Sequence, residues 1–250
     1  MRIFAASIAA CLMLGQPASA DRAEEAFSAG HFREAAQIAE AEGGADNLAR
    51  AARALLADTV VSGRLDKRKV EESAGLAKQA LAIDPDNIEG RLQLAIALSL
   101  LARDMSRGEA MDSGYASTAR DLVESVLEDE PDNAYAHGFM AVWNVEVVRR
   151  GGSIGSAFMG ASMRKARQHY RQALAHGEDD PSFEWQYARA LAAHNARRYR
   201  DEIEACLRRA AGAVPQTALA GAMQDRANSF SAYMAGHSRR DIERLAESLL

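Results

Sequence analysis

LAIDPDNIEGRLQLA at 81–95 and LEDEPDNAYAHGFMA at 127–141 are one phrase written twice. In each, an apolar helix end runs into an acidic residue, a proline and Asp-Asn, and a fresh helical stretch follows. GEDDPSFEWQYARAL at 177–191 and AAGAVPQTALAGAM at 210–223 vary the same theme. Proline deep in a helix loses a backbone hydrogen bond and clashes with the preceding turn. It is at home in the first turn of a helix or just before it. Pro85, Pro131, Pro181 and Pro215 therefore mark places where one helix ends and the next begins. Prolines confined to such points predict an all-α chain of stacked helical hairpins.

Composition agrees. The 250 residues are 48% apolar, enough for a continuous core, and rich in Ala, Leu, Arg and Glu, which lose little freedom in a helix. Residues 1–20 read as a secretory signal instead. Met1-Arg2 is a positive start, Ile3 to Leu14 a short apolar stretch, and Ala18-Ser19-Ala20 places cleavage after Ala20. Ile8-Ala9-Ala10-Cys11 also looks like a lipoprotein box, but only Ile3 to Ser7 would precede it, too little for an apolar region. The expected address is exported, in a bacterial periplasm, with no integral membrane segment. Once Cys11 is removed, Cys206 is the only thiol, so no internal disulfide forms, and its place in EIEACLRRA suits a small buried residue.

Charge is uneven: residues 21–144 carry a net −10 and residues 145–250 a net +4. Such polarity suits an oriented partner or head-to-tail contact between copies, or simply reflects drift on solvated faces. No basic tract interleaved with aromatics points to nucleic acid.

The periodicity predicts hairpins over 21–40, 46–83, 87–129, 133–176, 182–212 and 216–249, forming one domain over 21–250, with insertions at about 104–112 and 150–160. These residues resemble tetratricopeptide repeats (TPR), whose unit is about 34 residues with small residues at the tight crossings. Pro181 to Pro215 is 34 residues, whereas Pro85 to Pro131 is 46 and Pro131 to Pro181 is 50. Ala95 and Ala141 stand ten residues after their prolines, where close approach needs a small side chain; Leu191 departs from the pattern. Ala80, Val126 and Ala210 stand five before theirs, and Ala173 echoes them.

The resemblance implies a right-handed superhelix with a concave wall built from the first helix of each pair, binding a peptide or helix of a protein partner. Carried over residue by residue, that wall comprises Glu89, Leu92, Ile96, Ser99 and Leu100, then Tyr135, Gly138, Val142, Val145 and Glu146, then Trp185, Ala188, Ala192, Asn195 and Ala196. Of these, Leu92, Ile96, Tyr135, Val142, Glu146, Trp185 and Asn195 are the candidate contacts; core packing is the competing role for the aromatic and aliphatic ones. Such a wall favours an apolar or aromatic peptide and lacks a Lys/Arg clamp. A second implied role is small-ligand handling, like the TPR accessory component of tripartite periplasmic transporters.

RRGGSIGSAFMGASMRKAR at 149–167 is the most unusual segment. Its glycines and serines predict a mobile loop, with Arg149, Arg150, Phe158 and Arg164 available as a lid or anion-docking site, or a loop tucked into the superhelix. Gly151-Gly152-Ser153-Ile154-Gly155 matches G-x-S-x-G, but the elbow it imitates needs a preceding strand, and none is predicted. The six histidines show no metal spacing; His169 and His176 read as surface residues. Carboxylate pairs such as Glu71-Glu72 fit helix starts. The sequence thus predicts a non-enzymatic binding scaffold with no catalytic residue, cofactor or metal.

Overall fold

The structure is a computed structural model, and it describes residues 19–177 and 180–250. The signal segment 1–18, with Cys11, and the pair Glu178-Asp179 lie outside the described residues. Thirteen helices are described: α1 (Ser19–Ser28), α2 (Phe32–Glu42), α3 (Ala45–Ser62), α4 (Lys67–Ile83), α5 (Ile88–Arg103), α6 (Arg107–Asp112), α7 (Tyr115–Asp129), α8 (Ala134–Met159), α9 (Met163–His176), α10 (Pro181–Asn195), α11 (Arg200–Gly212), α12 (Ala218–Gly236) and α13 (Arg239–Ser248). Sequence neighbours pack as antiparallel pairs, and the pairs stack into an all-α solenoid.

The prolines punctuate as expected, with one shift of register. Asn87 and Asn133, each two residues after its proline, cap α5 and α8 by accepting from the amides of Gly90 (2.8 Å) and Ala136 (2.9 Å). Thr217, two after Pro215, caps α12 by accepting from the Ala220 amide. Pro181 is itself the first residue of α10, with Asp180 as its cap. In the first two repeats the side chain six residues after the proline ties the turn down. Arg91 Nε donates to the Pro85 carbonyl (3.1 Å), and His137 Nε2 bonds the Pro131 carbonyl (2.9 Å). The small positions Ala95, Ala141, Ala80, Ala173 and Ala210 are buried at helix crossings, and so are Val126 and Leu191.

α8 divides the core. Its Met140 and Trp143 join the cluster formed by α1–α5 and α7, while Ala141 and Val145 join the one formed by α9–α13. Cys206 lies wholly buried in the second cluster, 3.2 Å from the Tyr170 hydroxyl, and burial pushes its thiol up to about 12.

Both insertions are more ordered than the sequence suggests. Residues 104–112 contain α6, fixed by a reciprocal cap between Ser106 and Glu109. Residues 150–159 are not a mobile loop: they extend α8, broken at Gly152, whose φ of +62° favours glycine. Arg150 anchors the extension by donating to the carbonyls of Ala102 (2.9 Å) and Met105 (2.8 Å), so the two insertions meet at one end of the stack.

The last two helices depart from the hairpin expected at 216–249. α13 does not close on α12; it turns inward and packs on α10. α12 meanwhile reaches back to α1 and α3. A Cβ on Gly30, at the α1–α2 turn, would stand 2.9 Å from the Ala218 side chain. The Arg226 guanidinium donates to the carbonyls of Val60, Val61 and Leu250, joining the two ends of the solenoid. Hydrogen bonds from a charged donor contribute about 1.5–3 kcal/mol. Arg226→Ala is therefore expected to lower the unfolding free energy by about 2 kcal/mol and to increase the radius of gyration by small-angle scattering. Unchanged values for both would assign closure to other contacts.

Candidate partner-binding surface

The residues expected on the concave wall do not form an open groove. Trp185 is fully buried, its ring edge-on to Phe230 of α12 with centroids 5.6 Å apart. It is core, because α12 covers the face that the wall assignment left open, and its indole N–H is enclosed without an acceptor. Leu92 is core as well, and Ile96 and Val142 are half-buried against the two clusters. Tyr135 is exposed at the seam of α8 and α10, its ring 5.3 Å from that of Phe183. Asn195 closes a turn, accepting from the Arg198 amide (2.9 Å). Of the insertion set, Phe158 and Arg164 are exposed, whereas Arg149 and Arg150 face inward onto protein partners. Ser153 stands on the α8 extension, not at a strand-to-helix elbow.

What occupies the wall is α13. Ile242 and Ala246 are its buried anchors, with Leu245 and Leu249 half-buried beside them and Leu250 enclosed in the N-terminal cluster. The spacing i, i+3, i+4, i+7 makes one apolar stripe. Its polar contacts come from three different helices. Arg103, the last residue of α5, donates to the carbonyls of Glu247 (2.9 Å) and Leu249 (2.7 Å). Arg149 of α8 bonds the Glu247 carboxylate (2.7 Å), and Arg189 of α10 donates to the Ala246 carbonyl (3.4 Å). Glu243 accepts from the Ala196 amide (3.2 Å). A helix leaves its last carbonyls without intrahelical partners and carries partial negative charge there. Arginines of the wall supply the missing donors.

Glu146 holds these arginines together. It lies 2.8 Å from Arg149 and 3.2 Å from Arg189. Burial works against its carboxylate, but Arg189, Arg149 and Arg103 outweigh burial and keep it below the ordinary carboxyl range. Burial and the neighbouring Arg189, offset in part by Glu146, pull Arg103 down to about 10. Arg103 and Arg189, which were not among the residues carried over to the wall, stand beside it as basic groups together with Arg149 and bond backbone carbonyls and the Glu247 side chain. The signal for both was in the sequence, as arginines inside or closing otherwise apolar helices.

A histidine pair lies between α8 and α9. His137 Nδ1 is 2.9 Å from His169 Nδ1. With His137 Nε2–H given to the Pro131 carbonyl, His137 Nδ1 accepts and His169 Nδ1–H donates, an assignment fixed by the network. His169, read from sequence as an ordinary surface residue, instead joins His137. Burial, reinforced by His137 and Lys165, pushes His169 down to about 4; burial also lowers His137, against the help of the Pro131 carbonyl. The unfolded state therefore binds more protons than the folded state between about 6.5 and 4. Stability is expected to be full above pH 6.5 and to fall as pH drops towards 4. His169→Asn, which keeps the donor but cannot titrate, should flatten that slope in urea titrations. An unchanged slope would refute the assignment. Among the described residues no group of three or more His, Cys, Asp or Glu side chains is arranged to hold a metal, and no described helix is long and apolar enough to cross a membrane.

No family model matches the sequence, and neither does any curated protein. Among solved structures the fold is similar to that of a thermophilic TPR protein from Thermus thermophilus, with a TM-score of 0.56 and 20% identity over 84% of this chain and 96% of that one. The chain has the TPR fold: helical pairs stacked into an all-α solenoid.

Proposed function

We propose that this chain is an exported, non-catalytic scaffold whose inner wall receives a helix from a protein partner. The observation that carries this reading is the way α13 already lies there, held by Arg103 and Arg189 through its backbone carbonyls. Contacts to carbonyls read a helix end and not a particular sequence, so the wall is chemically suited to helices in general. The TPR fold fits protein partners, and the signal-like residues 1–20 support export. In-cell cross-linking followed by purification from the periplasm should recover a defined partner. Arg149→Glu, at the edge of the arginine cluster, should abolish that recovery while the circular dichroism spectrum is retained. Equal recovery by both proteins would sink the reading, as would absence from the periplasmic fraction for its export half.

A further inference from the structure

We infer that α13 is a displaceable occupant of the inner wall, standing in for a partner's amphipathic helix that carries a carboxylate in its last turn. The inference rests on the proposal that the wall is the partner-binding surface, and adds the partner's chemistry and the means of control.

Three observations carry it. First, α13 makes the wrong contacts for a repeat helix: it packs on α10 and not on α12, the helix it follows. Only His237 and Ser238 separate α13 from the end of α12. Swinging α13 outward about that joint would leave the α10–α11–α12 packing in place.

Second, α13 is lightly anchored. Within the helix only Ile242 and Ala246 are buried, with Leu245 and Leu249 half-buried and Leu250 buried just past its end, whereas Arg239, Arg240 and Arg244 face solvent. Full burial of an aliphatic side chain contributes about 1.5–3 kcal/mol, so the apolar hold is small compared with that of a core helix such as α10.

Third, the surface beneath it is chemically unfinished without a helix. Arg103, Arg149 and Arg189 all reach α13, and Glu146 is the wall carboxylate that pairs with Arg149 and Arg189. Apart from Gln186, which accepts from Arg189 within α10, the other acceptors come from α13: Glu247 and the carbonyls of Ala246, Glu247 and Leu249. A departing α13 would expose a wall with excess positive charge and an apolar strip on α10. That combination matches a helix with apolar residues at i, i+3, i+4 and i+7 and an acidic residue in its final turn, the pattern of Ile242, Leu245, Ala246, Leu249 and Glu247.

A fluorescent peptide of residues 237–250, HSRRDIERLAESLL, is the probe. Against the full chain carrying Ile242→Asp, whose own α13 cannot seat without burying a charge, anisotropy should show saturable binding. Affinity for the unmodified chain should be at least about tenfold weaker, because the tethered α13 competes at high effective concentration. Adding Arg149→Ala to Ile242→Asp should reduce binding about tenfold. The double substitution Glu243→Lys with Glu247→Lys, which removes no buried apolar group, provides the same release should Ile242→Asp not fold. In the unmodified chain, α13 amides should exchange with deuterium on the order of 100-fold faster than those of α10.

Equal peptide binding by released and unmodified chains would overturn the inference. So would a lack of binding by folded release variants, or α13 protection matching that of α10. If the peptide fails while a partner is still recovered from the periplasm in an Arg149-dependent way, control by α13 falls and partner binding stands. If the peptide binds and no partner is recovered, the seat is real and the scaffold reading falls.

Discussion

Glu146→Ala is expected to destabilise the chain by about 3 kcal/mol, more than most single substitutions cost. The carboxylate bonds Arg149 and Arg189, and the Arg189 side chain is only 3% exposed. Removing one member of a buried ion pair leaves the other charged and desolvated, and that uncompensated charge dominates the cost. Arg189 would keep only Gln186 and the Ala246 carbonyl as acceptors. The diagnostic comparison is with Glu146→Ala combined with Arg189→Met, which removes the orphaned charge and keeps much of the volume. Urea denaturation should show the double variant more stable than Glu146→Ala alone. If the double variant is the weaker of the two, burial of Arg189 is not what makes the single change costly. The sign with pH is also fixed. Glu146 is held below its unfolded value near 4.5, so its contribution is present above that pH and lost as pH falls through the folded value.

Phe183→Ala should cost about 3–4 kcal/mol, in the range for deleting a buried aromatic side chain. Phe183 follows Pro181 by two residues and drives its ring into a notch between Gly138 of α8 and Gly177 at the end of α9. A Cβ placed on Gly138 would fall 2.6 Å from the ring, and one on Gly177 would fall 2.7 Å from it. Gly138 therefore occupies mid-helix despite a propensity penalty of about 1 kcal/mol relative to alanine. Gly138→Ala alone gains that propensity but forces the ring out of its notch, and overpacking of this kind costs about 1–3 kcal/mol. The net expectation is destabilisation. With Phe183→Ala already present, the same Gly138→Ala change should turn stabilising, because nothing remains to clash. Additive effects in chemical denaturation would show that the notch and the ring are not coupled.

Most of the helical punctuation was legible because local chemistry writes it: Asp-Pro-Asp-Asn at 84–87 and Glu-Pro-Asp-Asn at 130–133 end one helix and cap the next. One local reading failed, and one that stood open between two roles was decided from a distance, each for an identifiable reason. Glycine content made 150–160 look like a loop, yet Gly152 alone breaks the helix, and Arg150 holds the segment from outside. Trp185 stood open between groove and core, because an open repeat exposes the inner face of its first helix and a covered one does not. Phe230 and Ile242 cover that region, from helices more than forty residues away in sequence. No local pattern records that α13 turns inward. The arginines that receive it, Arg103 and Arg189, were visible as charges in apolar company, but their convergence depends on three helices meeting. His169, which along its own helix read as a surface residue, likewise found His137 across a helix pair.

The contact of Arg226 with the end of α3 changes how the chain should come apart. A stack of repeats ordinarily behaves as a one-dimensional array in which terminal units fray independently, since each touches only its neighbours. Here residue 226 is tied to residues 60 and 61, 166 and 165 positions away. The tie closes the chain from α3 to α12 into a loop whose units cannot separate without breaking it, whereas α1–α2 and α13 lie outside that loop and keep their own local opening. The same tie raises the mean sequence separation of contacts and slows folding accordingly.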